Sequence, residues 1–233
     1  MRLGALFSGG KDSTLALHIA AEKEVVVCLI TVISKNKESY MFHTPNIDIT
    51  ALQAKALQLP LVSAVTEGKK EEELADLERI ILQAKKQFQL DGIVTGAVES
   101  VYQSTRIKHI CDKLQLSCIN PLWKTDQIKL LETLIDKNFA VIISGVFAYP
   151  LDEKWLGKQI DRAIIMKLVD LQKRFGISPS GEGGEIETTV LDAPMFTSRI
   201  EVLESDIEAR GNSGVYTIKK ARLITKRDND NLP

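Results

Sequence analysis

Short apolar runs rich in β-branched residues recur along the chain, at Leu3 to Phe7, Val25 to Ile33, Leu61 to Val65, Gly92 to Thr95 and Ala140 to Val146. Runs of that length with almost no polar interruption predict parallel strands covered on both faces. Between them the period changes to three and four. Leu74, Leu77, Ile81, Ala84 and Phe88 form one stripe, Ile107, Ile110, Cys111 and Leu114 a second, and Ile128, Leu131, Leu134 and Ile135 a third, each the buried side of an amphipathic helix. Alternating strands and helices predict an α/β fold, a doubly wound parallel sheet with right-handed crossovers whose ligands lie beyond the C-terminal ends of the strands. After Tyr149-Pro150 the pattern changes. A polar link leads to a helix carrying Ile160, Ile164, Leu168 and Leu171, then to a glycine-rich acidic loop from Ser180 to Glu187 and strand-like runs around Arg199 to Leu203 and Tyr216 to Ile224. The expected organisation is an α/β domain over residues 1–150, a smaller C-terminal α+β domain over 151–225 and a polar tail over 226–233.

The first strand runs into Ser8-Gly9-Gly10-Lys11-Asp12-Ser13, and the helical pattern Thr14 to Ala21 follows directly. Consecutive glycines turn the backbone sharply and gather N–H groups at one point, where the positive end of the next helix also aims. Phosphate oxygens suit such a point. Lys11 adds a mobile cation, Ser8 and Ser13 add hydroxyl donors, and Asp12 is placed to hold Mg²⁺ against phosphate oxygens. A Walker A loop is excluded by spacing: five residues rather than four separate Gly4 from Gly10-Lys11, and Asp12 stands where a hydroxyl is required.

Composition narrows the setting. The formal net charge is −1 at pH 7 with Lys and Arg scattered along the chain, so no electrostatic footprint of direct nucleic-acid binding is expected. The N-terminus enters a strand without the pattern of a signal peptide, and no apolar run reaches bilayer length, so a cytoplasmic protein with no membrane partner is expected. Cys28, Cys111 and Cys118 form no C-x-x-C pair and read as core residues, with thiol chemistry at Cys111 or Cys118 the alternative. His18, His43 and His109 show no metal-ligand spacing.

Two further stretches carry candidate chemistry. Gly96 follows the fourth strand, where a glycine lets a nucleotide approach the backbone, and the next helix presents Tyr102 and Arg106 one turn apart with His109 continuing the face. A guanidinium beside an aromatic suits a carboxylate or phosphate, and an ordinary exposed helix face carries such residues too. Gly181-Glu182-Gly183-Gly184-Glu185-Ile186-Glu187 gathers three carboxylates among glycines. Without a cation they repel one another, and Mg²⁺, an ammonium ion or a cationic side chain would each satisfy them.

Ser8 to Ser13 resembles the SGG-x-D-S motif of the PP-loop ATP pyrophosphatases, Rossmann-like relatives of the adenine nucleotide alpha hydrolases. Together with Tyr40-Met41-Phe42-His43-Thr44-Pro45-Asn46, Gly96 to Arg106, Pro121-Leu122-Trp123, Glu182-Gly183-Gly184-Glu185 and Leu191-Asp192-Ala193-Pro194, the order of motifs is similar to that of the diphthine–ammonia ligases, over essentially the whole chain. The resemblance implies ATP-dependent amidation of diphthine on translation elongation factor 2 through an acyl-adenylate, with ammonium as nitrogen source and AMP and pyrophosphate as products. By the same resemblance Ser8, Gly9, Gly10, Lys11, Asp12, Ser13, His43 and Gly96 hold ATP, with Asp12 on Mg²⁺. Tyr102, Gln103, Arg106, Glu182, Gly183, Gly184, Glu185 and Glu187 face diphthine and ammonium, and Lys11, Asp12 and Glu185 carry the catalysis. Ile186 stands where many members of that family have an aromatic residue, and no Cys follows Met1 to serve as an amidotransferase nucleophile, so free ammonium is the expected donor.

Two other functions fit the phosphate loop: a PP-loop enzyme of tRNA modification, and a nucleotide sensor without turnover. The first lacks catalytic cysteines or a basic RNA surface in the sequence, and the second has no use for a second polar site. Base rates favour an isologous homodimer through the smaller domain.

Overall fold

A computed structural model describes residues 1–36, 45–68 and 72–226. His43 and most of its motif, and all of the polar tail beyond Lys226, lie outside the described residues. The chain divides into two compact units, Met1–Thr50 with Leu59–Lys124, and Ala51–Gln58 with Thr125–Pro233.

The first unit holds five parallel strands, β1 (Arg2–Leu6), β2 (Val25–Ser34), β3 (Leu61–Thr66), β4 (Gly92–Val94) and β5 (Ser117–Ile119), in the order β3-β2-β1-β4-β5. Helices α1 (Lys11–Ala21), α3 (Glu72–Phe88) and α4 (Val101–Lys113) connect them. From β1 the next strand lies to one side and β4 to the other, so the chain reverses its direction of travel between β1 and β4, and the loops after these strands meet at the switch point. The expected helical stripes are the buried faces: Leu77, Ile81 and Ala84 of α3 and Ile107, Ile110 and Cys111 of α4 pack with Ile30 and Ile93 in one cluster. Each fully buried Leu or Ile contributes about 1.5–3 kcal/mol.

The second unit contains a four-stranded antiparallel sheet, β6 (Ala140–Val146), β7 (Ile186–Asp192), β8 (Ser198–Arg210) and β9 (Ser213–Thr225), in the order β7-β6-β9-β8. Here the structure corrects the sequence reading. Ala140 to Val146 is not a member of the parallel sheet, and the division of the chain falls after Lys124 instead of near Pro150. An interior antiparallel strand buried on both faces has the same continuous apolar signature as a parallel one, and Val141, Ile143, Ser144 and Val146 are all at most 1% exposed. The parallel sheet is completed instead by the short β5, which the sequence reading passed over.

Helices α2 (Thr50–Leu57), α5 (Gln127–Asp136) and α6 (Arg162–Phe175) complete the elements. All of α2 after Thr50, with Gln58 beyond it, belongs to the second unit, where Gln53 Nε2 donates to the Val190 carbonyl at 2.8 Å and the Thr197 N–H to the Ala56 carbonyl at 2.7 Å. Helix α6 begins later than its stripe suggested: Asp161 caps it by accepting from the Ile164 N–H at 2.7 Å, and Ile160 pairs with the Val141 carbonyl. The Leu191-Asp192-Ala193-Pro194 motif is a structural corner, with Lys226 Nζ 2.7 Å from Asp192 Oδ1 and from the Ala193 carbonyl. Among the described residues no helix is long and apolar enough to cross a membrane.

All three cysteines are free thiols. Burial pushes the Cys28 thiol up to about 12. The Cys111 thiol, hydrogen-bonded to Cys118 and buried, is raised, while that same bond lowers Cys118. Thiolate is the reacting form, so alkylation of the native protein at pH 8 should label the half-buried Cys118 first and leave Cys28 unlabelled, as read by peptide mass spectrometry. Cys28 labelling as fast as Cys118 would contradict this order.

Candidate active site

Strand β1 delivers the chain into a loop shaped by Gly9, which has φ +78°, a conformation an L side chain rarely adopts. Gly10 is the N-cap of α1 and supplies no side-chain cap of its own, with Ser8 Oγ 3.5 Å from its N–H, so the positive end of the helix opens onto this loop. Ser8 and Ser13 brace this turn. Their hydroxyls are 3.1 Å apart, Ser13 Oγ accepts from the Ser8 N–H at 3.3 Å, and Ser13 Oγ and Thr14 Oγ1 donate to the Gly10 carbonyl at 3.2 and 2.8 Å. The serines therefore fix the loop's curvature. Lys11 is buried, its Nζ 2.7 Å from Asp12 Oδ2, while Asp12 Oδ1 is buried with no hydrogen-bond partner among the described residues.

Gly96 reaches the same point from β4. A Cβ there would lie 2.7 Å from the Asp12 carbonyl carbon and from the Ser13 nitrogen, closer than real Cβ atoms approach backbone, so the loop after β4 rests on the first turn of α1. Thr95 Oγ1 accepts from the Ala97 N–H at 3.1 Å, and the Lys124 N–H, at the end of the Pro121-Leu122-Trp123 turn, donates to the Val98 carbonyl at 2.8 Å. Helix α4, in contrast to α1, is capped by its own residue, Ser100 Oγ accepting from the Gln103 N–H at 3.3 Å. Along α4 the Arg106 guanidinium carbon lies 3.5 Å from the centre of the Tyr102 ring and Nη1 donates to the Tyr102 carbonyl at 3.4 Å, while Arg106 Nε is buried without a partner among the described residues. His109, expected on that face, is exposed.

In the second unit the acidic loop is more ordered than its composition suggests. Gly181 and Gly184 have φ +80° and +83°, and the Gly184 N–H donates to the Gly181 carbonyl at 2.9 Å. Glu185 Oε1 accepts from the Ser178 N–H at 2.9 Å, whereas its Oε2 is buried and, among the described residues, unpartnered. The carboxylate lies where a Cβ on Gly183 would come within 2.7 Å of it, so Gly183 makes room for Glu185. Ser180, 1% exposed, ties the loop to α5, its N–H donating to Gln127 Oε1 at 3.2 Å with its Oγ 3.0 Å from the same oxygen. Glu187 is a strand residue, opposite Gly145.

Both halves of the chain match family models: residues 1–118 that of the diphthamide synthase N-terminal domain, and residues 126–224 that of the diphthamide synthase C-terminal domain. The chain belongs to the diphthamide synthase family. Curated relatives include the diphthine–ammonia ligases of Bos taurus, 34% identical over 96% of this chain and 91% of the relative, and of Homo sapiens, 34% identical over 89% and 85%. The diphthine–ammonia ligase of Schizosaccharomyces pombe is 32% identical over 94% of this chain but 39% of its own length. A solved structure titled as a predicted subunit of a tRNA methyltransferase from Methanocaldococcus jannaschii aligns at 21% identity over 83% of this chain and 98% of its own with a TM-score of 0.45, too loose a likeness to bear on function.

In this diphthamide synthase family member the phosphate-loop residues and Gly96 come together in the first unit, as do the acidic residues in the second. Asn120 was missed by the sequence reading: just past the C-terminal end of β5 its Nδ2 donates to Ser104 Oγ at 3.3 Å while its Oδ1 is buried and, among the described residues, unpartnered. The only signal for it was a polar residue between an apolar run and Pro121.

Proposed function

We propose that this protein catalyses ATP-dependent amidation of the diphthine carboxylate on translation elongation factor 2, in the cytoplasm, with ammonium as nitrogen donor. A carboxylate does not accept ammonia at neutral pH because oxide would have to leave. Attack of a carboxylate oxygen on the α-phosphorus of ATP, with departure of pyrophosphate, replaces that leaving group by AMP. Ammonia then attacks the acyl carbon and AMP departs. The observation that carries this reading is the glycine N-cap of α1, with the buried Lys11–Asp12 pair beside it and Gly96 pressed on its backbone. Such a turn binds one tetrahedral anion through backbone amides and a cation, and the family's named reaction is one that needs an activated carboxylate.

In this reading Lys11 and the first-turn amides hold the phosphates, and Ser8 and Ser13 keep the amides converging. Asp12 Oδ1 is the hard oxygen that fits Mg²⁺, which typically takes one or two carboxylates together with substrate phosphates and water. Bound Mg²⁺ would neutralise charge on the departing pyrophosphate. Tyr102, Gln103 and Arg106 bind the diphthine carboxylate, with Arg106 Nε as the unused donor. Glu185 accepts a proton or hydrogen bond from ammonium through Oε2, since Oε1 is engaged with Ser178.

The test is release of AMP and pyrophosphate from ATP in the presence of diphthine-bearing elongation factor 2, with and without ammonium, followed by intact mass for the replacement of OH by NH₂. Ammonium-dependent amidation coupled one-to-one to AMP is the expected result. AMP release with no change in the factor's mass would redirect the activity to another acceptor.

A further inference from the structure

Helix α4 and strand β5 bring together two thiols that the proposed reaction does not use. Cys111 lies on the buried face of α4, 0% exposed, in one cluster with Ile107, Ile110 and Leu116. Three backbone bonds close the turn that follows. The Leu114 N–H donates to the Ile110 carbonyl at 3.0 Å, Gln115 to Asp112 at 3.1 Å and Leu116 to Cys111 at 2.8 Å, so the chain returns over the residue it has just left. Two positions beyond Leu116, Cys118 lies in β5 and packs against the same cluster. Alternate residues of an extended chain share a face, which turns Leu116 and Cys118 alike toward Cys111. There the two thiols meet in a hydrogen bond. Cys28, by contrast, is held in β2, which β1 and β4 separate from β5.

The pair is asymmetric. Its bond to Cys118 and its burial keep the Cys111 thiol protonated. The same bond lowers the half-buried Cys118 thiol against the opposing cost of burial, and the Lys108 ammonium lowers it further. Thiolate is the attacking form, so Cys118 is the nucleophile and Cys111 the thiol already in contact with whatever forms on it. A disulfide requires the sulfurs to close to about 2.05 Å. Strand β5 can follow such a movement, being three residues long and at the edge of its sheet, paired with β4 alone. We propose that Cys111 and Cys118 form an oxidisable dithiol, with hydrogen peroxide as its substrate and a disulfide between α4 and β5 as its product. The Cys118 thiolate attacks one peroxide oxygen; the S–O bond forms as the O–O bond breaks, and the departing hydroxide takes up the proton Cys118 had released and leaves as water. The Cys111 sulfur then attacks the sulfenic sulfur. The S–S bond forms, the S–O bond breaks, and the Cys111 proton leaves with the hydroxyl as a second water. Two thiols are oxidised and one peroxide is reduced. The bond closes residues 111–118 into a covalent ring that ties the last turn of α4 to β5. This chemistry goes beyond the ligase reading and depends on no part of it.

The full chain, reduced and freed of reductant, is treated with hydrogen peroxide, read by intact mass, then alkylated for peptide mapping. The wild type should lose two hydrogens, recover them with dithiothreitol, and yield a peptide pair linked through Cys111 and Cys118 about tenfold faster than any linkage through Cys28. Cys118→Ser should abolish the linkage. Cys111→Ala leaves Cys118 without its resolving thiol, so Cys118 should accumulate as sulfenic acid trapped by dimedone and then gain further oxygen irreversibly. The mapping of the wild type decides the pairing whether or not either variant folds. Linkage through Cys28, linkage only between chains, or oxygen added at Cys118 of the wild type with no Cys111–Cys118 peptide would overturn the proposal, as would an unchanged mass.

Discussion

Lys11→Ala is expected to lower kcat/KM for ATP-dependent amidation by about 10³-fold, the upper range for removing one preorganised donor from developing charge. The effect is large because Lys11 serves two partners in the proposed reaction. Its ammonium sits 2.7 Å from Asp12 Oδ2, in a side chain 4% exposed, and so lies already beside the helix terminus where phosphate charge would develop. Preorganisation of this kind needs no rearrangement as pyrophosphate departs. Asp12→Asn should cost a similar factor, since an amide oxygen is a weaker Mg²⁺ ligand and its NH₂ would face the Lys11 ammonium. Because the two residues act as one unit, the double variant should lose little more than either single one. Pyrophosphate release under saturating diphthine-bearing factor measures all three. Losses that multiply would mean that the residues act independently, and near-normal turnover in Lys11→Ala would remove it from the phosphate site. Thermal midpoints within a few degrees of the parent would separate a chemical from a structural effect.

What the sequence could convey follows from which features are local. The glycine turn from β1 into α1 was legible because its determinants, a strand end, two glycines and a helix start, are contiguous in Leu3 to Ala21. The bracing role of Ser8 and Ser13 was not, since the 3.1 Å approach of their hydroxyls depends on how the loop curls. Strands β1 to β4 announced themselves by continuous apolar runs. Ala140 to Val146 did so just as clearly and was placed in the wrong sheet, because periodicity reports burial on both faces and not the direction of the neighbours. Strand β5 is three residues long with a polar first member, too short to carry a period. In the acidic loop, composition conveyed the charge. Only the Ser178 hydrogen bond separated one Glu185 carboxylate oxygen from the other.

Gly96→Ala should lower the thermal midpoint by about 3–10 °C, from an overpacking cost of about 1–3 kcal/mol, and cut ATP-dependent turnover about 10²-fold. The added methyl would meet the Asp12 carbonyl carbon and the Ser13 nitrogen at 2.7 Å and Ser13 Cα at 2.9 Å. These are backbone atoms of the α1 first turn, which cannot rotate aside as a side-chain end can. The turn must shift, and the same shift moves the amides and the Lys11–Asp12 pair proposed to hold the nucleotide. Gly4→Ala is the matched control. Its methyl would meet Leu90 Cδ1 at 2.8 Å and Ile30 Cδ1 at 3.0 Å, both ends of side chains in the apolar core. That variant should lose stability without a matching rise in the KM for ATP. Equal KM for ATP in Gly96→Ala and Gly4→Ala would mean that the loop after β4 supports the fold alone. A rise confined to Gly96→Ala would tie the nucleotide site to the packing of that loop on α1.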